Sequence, residues 1–158
     1  MHFKFADGKI FNWGPLGAGT TTQDANGNVI SSFEGHKTSV FCVALHPTGE
    51  YLASGDSDRQ VKLWDRATGR EIRTLIGHTD YVFGVAFSPD GRYLATASWK
   101  EVIVWDTNSF EPKTFDRIAG KILWVAFSPD GKRLAAASGY KGKGEIKIWD
   151  ASLWENIQ

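Results

Sequence analysis

The chain of 158 residues has a single cysteine, Cys42, so no internal disulfide can hold its fold. That residue lies in the apolar run Val40-Phe41-Cys42-Val43-Ala44-Leu45, where a small buried strand residue is expected rather than a nucleophile. An excess of charge of either sign is also lacking: Lys+Arg and Asp+Glu number 18 each. The overall basic footprint of a nucleic-acid binder is therefore absent. No apolar run approaches the roughly 18 residues that a membrane span needs. The opening, Met1-His2-Phe3-Lys4-Phe5-Ala6-Asp7-Gly8, has no apolar core of an export signal. A soluble, cytoplasmic protein with no membrane partner is the expectation. No segment has the 3.6-residue period of a helix.

Familiar catalytic patterns are missing too. Gly14-Pro15-Leu16-Gly17-Ala18-Gly19-Thr20 lacks the Gly-Lys-Ser/Thr end of a phosphate loop, and no helix follows it. Lys141-Gly142-Lys143-Gly144 reads as a solvated hairpin tip. Asp56-Ser57-Asp58 offers two carboxylates but no third ligand nearby, and His2 and His46 have no metal-ligand spacing. No acid and base present themselves in a definable cleft. Neither a metal nor a cofactor is expected.

What the chain has is repetition. One block runs Gly35-His36, Val43-Ala44-Leu45-His46-Pro47-Thr48-Gly49, Tyr51-Leu52-Ala53-Ser54, Val61-Lys62-Leu63-Trp64-Asp65. The next runs Gly77-His78, Val85-Ala86-Phe87-Ser88-Pro89-Asp90-Gly91, Tyr93-Leu94-Ala95-Thr96, Val102-Ile103-Val104-Trp105-Asp106. The third has Val125-Ala126-Phe127-Ser128-Pro129-Asp130-Gly131, Leu134-Ala135-Ala136-Ala137 and Ile146-Lys147-Ile148-Trp149-Asp150. The Trp-Asp pairs are 41 and 44 residues apart. Val61-Lys62-Leu63-Trp64 and Ile146-Lys147-Ile148-Trp149 alternate as strands with one buried face do, whereas Val82 to Phe87 and Ile122 to Phe127 read as strands packed on both sides. The Ser-Pro-Asp-Gly segments are hairpin turns, with Pro presetting φ and Gly accepting positive φ.

A period of about 40–45 residues opened by Gly-His and closed by Trp-Asp resembles the WD40 repeat family. The resemblance covers roughly residues 29–150, in repeats at about 29–65, 71–106 and 112–150. Residues 1–28 read as a degenerate partial blade and a Gly/Thr/Asn-rich loop. In that segment Ile10-Phe11-Asn12-Trp13-Gly14 takes the place of a Trp-Asp strand and Pro15 to Asn28 is a loop. Residues 151–158 read as a truncated tail. The resemblance implies an all-β fold of four-stranded antiparallel blades, an incomplete ring of three blades plus part of a fourth. On this count Val29-Ile30-Ser31-Ser32-Phe33 is a spare outer strand and the last blade lacks one. A homodimer exchanging these strands, or a longer parent chain, would complete the propeller.

The resemblance further implies a buried tetrad in each blade, made by the His of Gly-His, a Ser/Thr, an Asp and the Trp of Trp-Asp. By alignment the first block has His36, Ser54, Asp58 and Trp64. The second keeps His78, Thr96 and Trp105, but Trp99-Lys100 stands where the Asp should be, so its tetrad is expected to be broken. The third has Ile118 and Ala136 at the His and Ser positions, leaving only Trp149. Ser, His and Asp together resemble a hydrolytic triad, but the family pattern makes them structural. Partners of such propellers bind one rim, where Phe41, Tyr81, Phe83, Trp99 and Leu123 fall. The implied function is a non-catalytic scaffold for protein–protein contacts within a complex, its partner unspecified. A second reading makes the chain a regulatory or sensory propeller segment of a larger enzyme, such as a kinase with a WD40 tail, whose catalytic loops would lie elsewhere.

Overall fold

The computed structural model describes residues 2–4, 10–12, 20–23, 26–117, 120–140 and 142–156. Those residues form fifteen strands, followed by the 3-10 helix Ala151–Asn156. The strands fall into four antiparallel sheets, each threaded in chain order. The first holds β1 (His2–Lys4), β2 (Ile10–Asn12), β3 (Thr20–Gln23) and β4 (Val29–Phe33). The second holds β5 (Val40–Leu45), β6 (Tyr51–Asp56), β7 (Gln60–Asp65) and β8 (Glu71–Ile76). The third holds β9 (Gly84–Phe87), β10 (Tyr93–Ala97), β11 (Glu101–Asp106) and β12 (Pro112–Arg117). The fourth has three strands, β13 (Ile122–Phe127), β14 (Arg133–Tyr140) and β15 (Lys143–Asp150). These sheets are propeller blades, and among the described residues they close no ring.

The hairpins form where the sequence puts turn chemistry. The Ser88 hydroxyl donates to Asp90 Oδ1 at 2.6 Å and accepts the Tyr93 amide, and Gly91 closes the turn at φ 75°. Ser128, Asp130 and Gly131 repeat the arrangement. In the second blade His46 replaces that Ser. Its ring bonds Thr48, stacks on Tyr51 at 4.1 Å and reaches the Gly91 carbonyl of the next blade.

Blades meet through their faces. Ala53, Val61, Leu63 and Leu75 of the second blade pack with Val82, Val85, Leu94, Ile103 and Trp105 of the third. Tyr93, Ala95, Val102 and Val104, on the opposite face of the third blade, pack with Ile122, Val125, Leu134 and Ala136. Each large apolar side chain buried there contributes about 1.5–3 kcal/mol. Phe33 of β4 meets Trp64 edge-on at 5.9 Å. Gly69, at φ 72°, lies so close to the Ser32 carbonyl that a side chain there would collide with it. These contacts fasten the first blade to the second.

Several expectations change. Ile10–Asn12 is a second strand, between β1 and β3, and not the Trp-Asp-type third strand. The third strand, Thr20–Gln23, lies inside the segment read as a loop. Val29–Phe33 is no spare strand, because β4 is already paired with β3. A repeat therefore straddles two blades, with its first strand closing the blade before it. Trp13 to Gly19 lie outside the described residues. The tail 151–158 holds the 3-10 helix, whose Ala151 and Trp154 are buried in the core between the last two blades.

Two strand readings change as well. Val61 to Trp64 is buried on both faces, Lys62 included, because its ammonium pairs with Glu71 at 2.7 Å and donates to Thr74. Ile122–Phe127 is packed on one side only. Leu123 and Trp124 are exposed, since no further blade covers that sheet among the described residues.

Candidate functional site: the blade tetrads and the aromatic rim

In the second blade a hydrogen-bond chain runs from strand to strand. The Trp64 indole N–H donates to Ser54 Oγ at 2.8 Å, and Ser54 Oγ lies 2.6 Å from His36 Nε2. His36 Nδ1 lies 2.7 Å from Asp56 Oδ2. With the proton on Nδ1, Ser54 donates to the ring and the ring donates to the carboxylate, so every polar atom is satisfied. The remaining oxygen, Asp56 Oδ1, accepts the amides of Asp58 and Gln60 at 2.9 Å each. Burial pushes the Asp56 carboxyl up. The His36 bond and the two amides outweigh that and hold it below the ordinary aspartate value.

The acid of this tetrad is thus Asp56, not Asp58. Asp58 sits exposed in the turn and gives only its backbone amide. Asp56 is the last residue of β6, two beyond Ser54, so its side chain lies on the same sheet face as Ser54. An Asp in the turn has no such constraint. The period-two rule applied to the Ser-x-Asp spacing would have found it. Ser54 is 1% exposed and bonded to both neighbours, so no substrate reaches it.

The third blade closes its tetrad too, contrary to expectation. Trp105 donates to Thr96 Oγ1 at 2.8 Å, and His78 Nε2 lies 2.7 Å from the same oxygen. The carboxylate comes from Glu101 across the shortened hairpin, with Oε1 3.3 Å from His78 Nδ1. Ser98, one residue past β10 and two beyond Thr96 as Asp56 is two beyond Ser54, donates to Glu101. The extra methylene of Glu lets a residue on the following strand reach the site. The His78 bond, with the Thr79 amide and hydroxyl, overcomes burial and holds the Glu101 carboxyl at about 2.

In the fourth blade Ala136 stands at the Ser position, and Ile118 lies outside the described residues. Trp149 is not left alone. Its indole donates to Asp116 Oδ2 at 2.7 Å, and Lys147 Nζ lies 2.7 Å from the same oxygen. Asp116 is on β12 of the preceding blade, at the register position that Leu75 holds on β8. Cys42 packs against the Gly55 and Val82 carbonyls, and burial pushes its thiol up to about 12. A thiol so held has almost no thiolate to react.

The other cluster is the rim formed by the starts of the inner strands. Phe41 stacks on Phe83 at 5.2 Å and lies 6.0 Å from Tyr81, and Tyr81 lies 6.1 Å from Phe83. Phe41 is 38% and Tyr81 47% exposed. Lys121 Nζ sits 4.2 Å from the Phe83 ring centre and 5.1 Å from that of Trp99. This ammonium joins Trp99, in the β10–β11 turn, to the aromatic row. Leu123 is exposed on the next inner strand. The rim residues singled out by sequence thus come from three neighbouring blades. Lys121 was missed, because nothing in its local sequence says that it will lie over two rings.

Antiparallel sheets of three or four strands repeated along the chain, with Trp64, Trp105 and Trp149 each hydrogen-bonded from the third strand of its blade, define a β-propeller repeat protein. The family model described as WD domain, G-beta repeat matches residues 27–65, 69–106 and 113–150. The chain belongs to this family. It is similar to the transcriptional repressor rco-1 of Neurospora crassa, 40% identical over 55 residues, or 35% of this chain and 9% of that protein. It is also similar to the nuclear distribution protein PAC1 of Candida tropicalis, 38% identical over 42 residues, 27% of this chain and 9% of the relative. A ribosome biogenesis protein BOP1 homolog of Drosophila virilis is 50% identical over 38 residues, 24% and 5%. The matched stretches span less than a tenth of the length of these relatives.

Proposed function

We propose that this chain is a non-catalytic scaffold segment that holds a protein partner on its aromatic rim. The observation that carries this reading is the meeting of Phe41, Tyr81 and Phe83 as a partly exposed cluster across two blades. Clustered aromatics on a rigid support contribute large contact area at little entropic cost, which is why they dominate binding interfaces. The tetrads support the same reading from the other side. Their Ser, His and acidic groups are spent on one another, so they stiffen the blades and leave contact with a partner to the rim. The relatives add support by diversity: their names speak of transcriptional repression, nuclear distribution and ribosome biogenesis. A common repeat serving such different settings suits a platform better than a shared reaction. The setting we propose is cytoplasmic, where a fold without disulfides is stable, and fractionation of the source cells checks that.

The decisive experiment is comparative capture from the native cell. Wild type, the double variant Phe41→Ala/Tyr81→Ala and the control Lys132→Ala at the opposite end are used as bait, each checked for unchanged melting. A partner held by wild type and the control but weakened about tenfold or more by the rim variant fits the proposal. Equal capture by all three rules the rim out.

A further inference from the structure

The last blade departs from its neighbours in two ways that concern the same sheet. The first lies in the inner strand. Cys42 of β5 pairs with Gly55, Gly84 of β9 with Ala97, and Trp124 of β13 with Ala137, so the three hold one structural position. In the second and third blades that position is small because the next inner strand lies against it. Val82 covers Cys42 and Gly55, and a Cβ on Gly84 would already meet the Val125 amide nitrogen at 3.3 Å. Trp124 fills this space with an indole that is 67% exposed. A next inner strand seated as Val82 and Val125 are would have to turn this indole aside.

The second departure lies at the outer edge. After the second and third blades the chain reverses four residues beyond the Trp-Asp aspartate. Gly69 and Phe110, at φ 72° and 59°, bond back to Asp65 and Asp106, and an outer strand follows. After Asp150 the chain runs into the 3-10 helix instead. Trp154, four residues on, is buried 5.8 Å from the Tyr93 ring and 5.9 Å from that of Phe127. Among the described residues β15 therefore pairs only with β14.

This edge, unpaired among the described residues, has a defined polarity. The Ala151 amide bonds Lys132 on the β14 side, so by alternation Ile146 and Ile148 turn their amides and carbonyls outward. Their side chains are 73% and 60% exposed, on the same face as Trp124. Glu145 and Lys147 flank Ile146 on the opposite face, where Lys147 already bonds Asp116 but keeps donors free for a second carboxylate.

We propose that β15 pairs antiparallel with β15 of a second copy of this chain, about a two-fold axis at Ile146. In that register Ile146 exchanges both backbone hydrogen bonds with its symmetry mate, and Gly144 does so with Ile148. Glu145 of each copy stands directly opposite Lys147 of the other, twice over. Opposite charges at such positions favour pairing and like charges oppose it. The self-complementary run Glu-Ile-Lys fixes both the partner and the register. The result is a six-stranded sheet in which Ile146 lies beside its mate and Ile148 diagonally across.

The test is solution mass and hydrogen exchange on the whole chain. Wild type is expected at twice its 17.5 kDa, with the amides of Ile146 and Ile148 slow to exchange when concentrated and fast on dilution. Glu145→Lys changes an exposed residue, sets lysine against lysine twice, and is expected to raise the dissociation constant roughly tenfold. Lys147→Glu fails to self-pair in the same way, and an equimolar mixture of the two variants, both checked as folded by melting, recovers the dimer. A wild type that stays monomeric overturns the proposal. So does a dimer indifferent to Glu145→Lys, or one whose Ile146 and Ile148 amides exchange alike at high and low concentration.

Discussion

The second and fourth blades share a strand order but solve one problem differently. Each holds a Trp indole that needs an acceptor, Trp64 fully buried and Trp149 partly so. In the second blade the acceptor is Ser54, part of a chain ending in Asp56 within the same sheet. In the fourth it is Asp116, lent by the outer strand of the third blade. The first arrangement stiffens one blade by itself, while the second couples two. A polar group satisfied within its own sheet survives the loss of a neighbour. One satisfied across an interface ties the stability of both sheets to that interface.

The largest effect should come from breaking the self-contained network. Asp56→Ala strands the His36 N–H and the amides of Asp58 and Gln60, and is expected to cost roughly 2–4 kcal/mol in urea unfolding. Asp58→Ala should cost about 0.5 kcal/mol or less, because that side chain is exposed and only its amide is used. Equal losses would return the acid role to Asp58.

The third blade sharpens the comparison through pH. The folded Glu101 carboxyl, at about 2, lies below the ordinary value of 4.5. A depressed carboxylate contributes stability that is fully present above its unfolded value and fades as pH falls through the folded one. Wild type should lose this contribution between about pH 4.5 and 2. Glu101→Gln should be less stable at pH 7 and show a shallower loss across that window. Parallel curves would remove Glu101 from the network.

A smaller loss than that of Asp56→Ala tests the borrowed acceptor. Asp116→Ala and Trp149→Phe should each cost about 1 kcal/mol, and the double variant about as much as either alone. Full additivity would mean that the bond between the blades does not matter.

The sequence carried the repeat, the hairpins and the His, Ser/Thr and Trp members of two tetrads, because each rests on local spacing. Pro-Asp-Gly turns, period-two strands and the Trp-Asp register are written within a few residues of where they act. The acid positions were harder. Asp56 and Asp58 are both near the turn, and choosing between them needs the strand to end at Asp56. Glu101 was hidden because it acts from the following strand, and Asp116 because it acts from another blade. In the first sheet, weak patterning left β3 unrecognised and made β4 look unpaired.

By itself the sequence determined that this chain builds β-propeller blades and where its Trp-Asp strands fall. Those properties follow from the alternation of side chains along a strand and the turn preferences of Pro, Asp and Gly, which act over a few residues. Only the tertiary structure decided which carboxylate serves His36 and His78, that Lys121 rests on two rings, and that Trp154 folds back into the core while, among the described residues, β15 pairs only with β14. These are meetings between residues far apart in the chain, and the packing of blade against blade sets them.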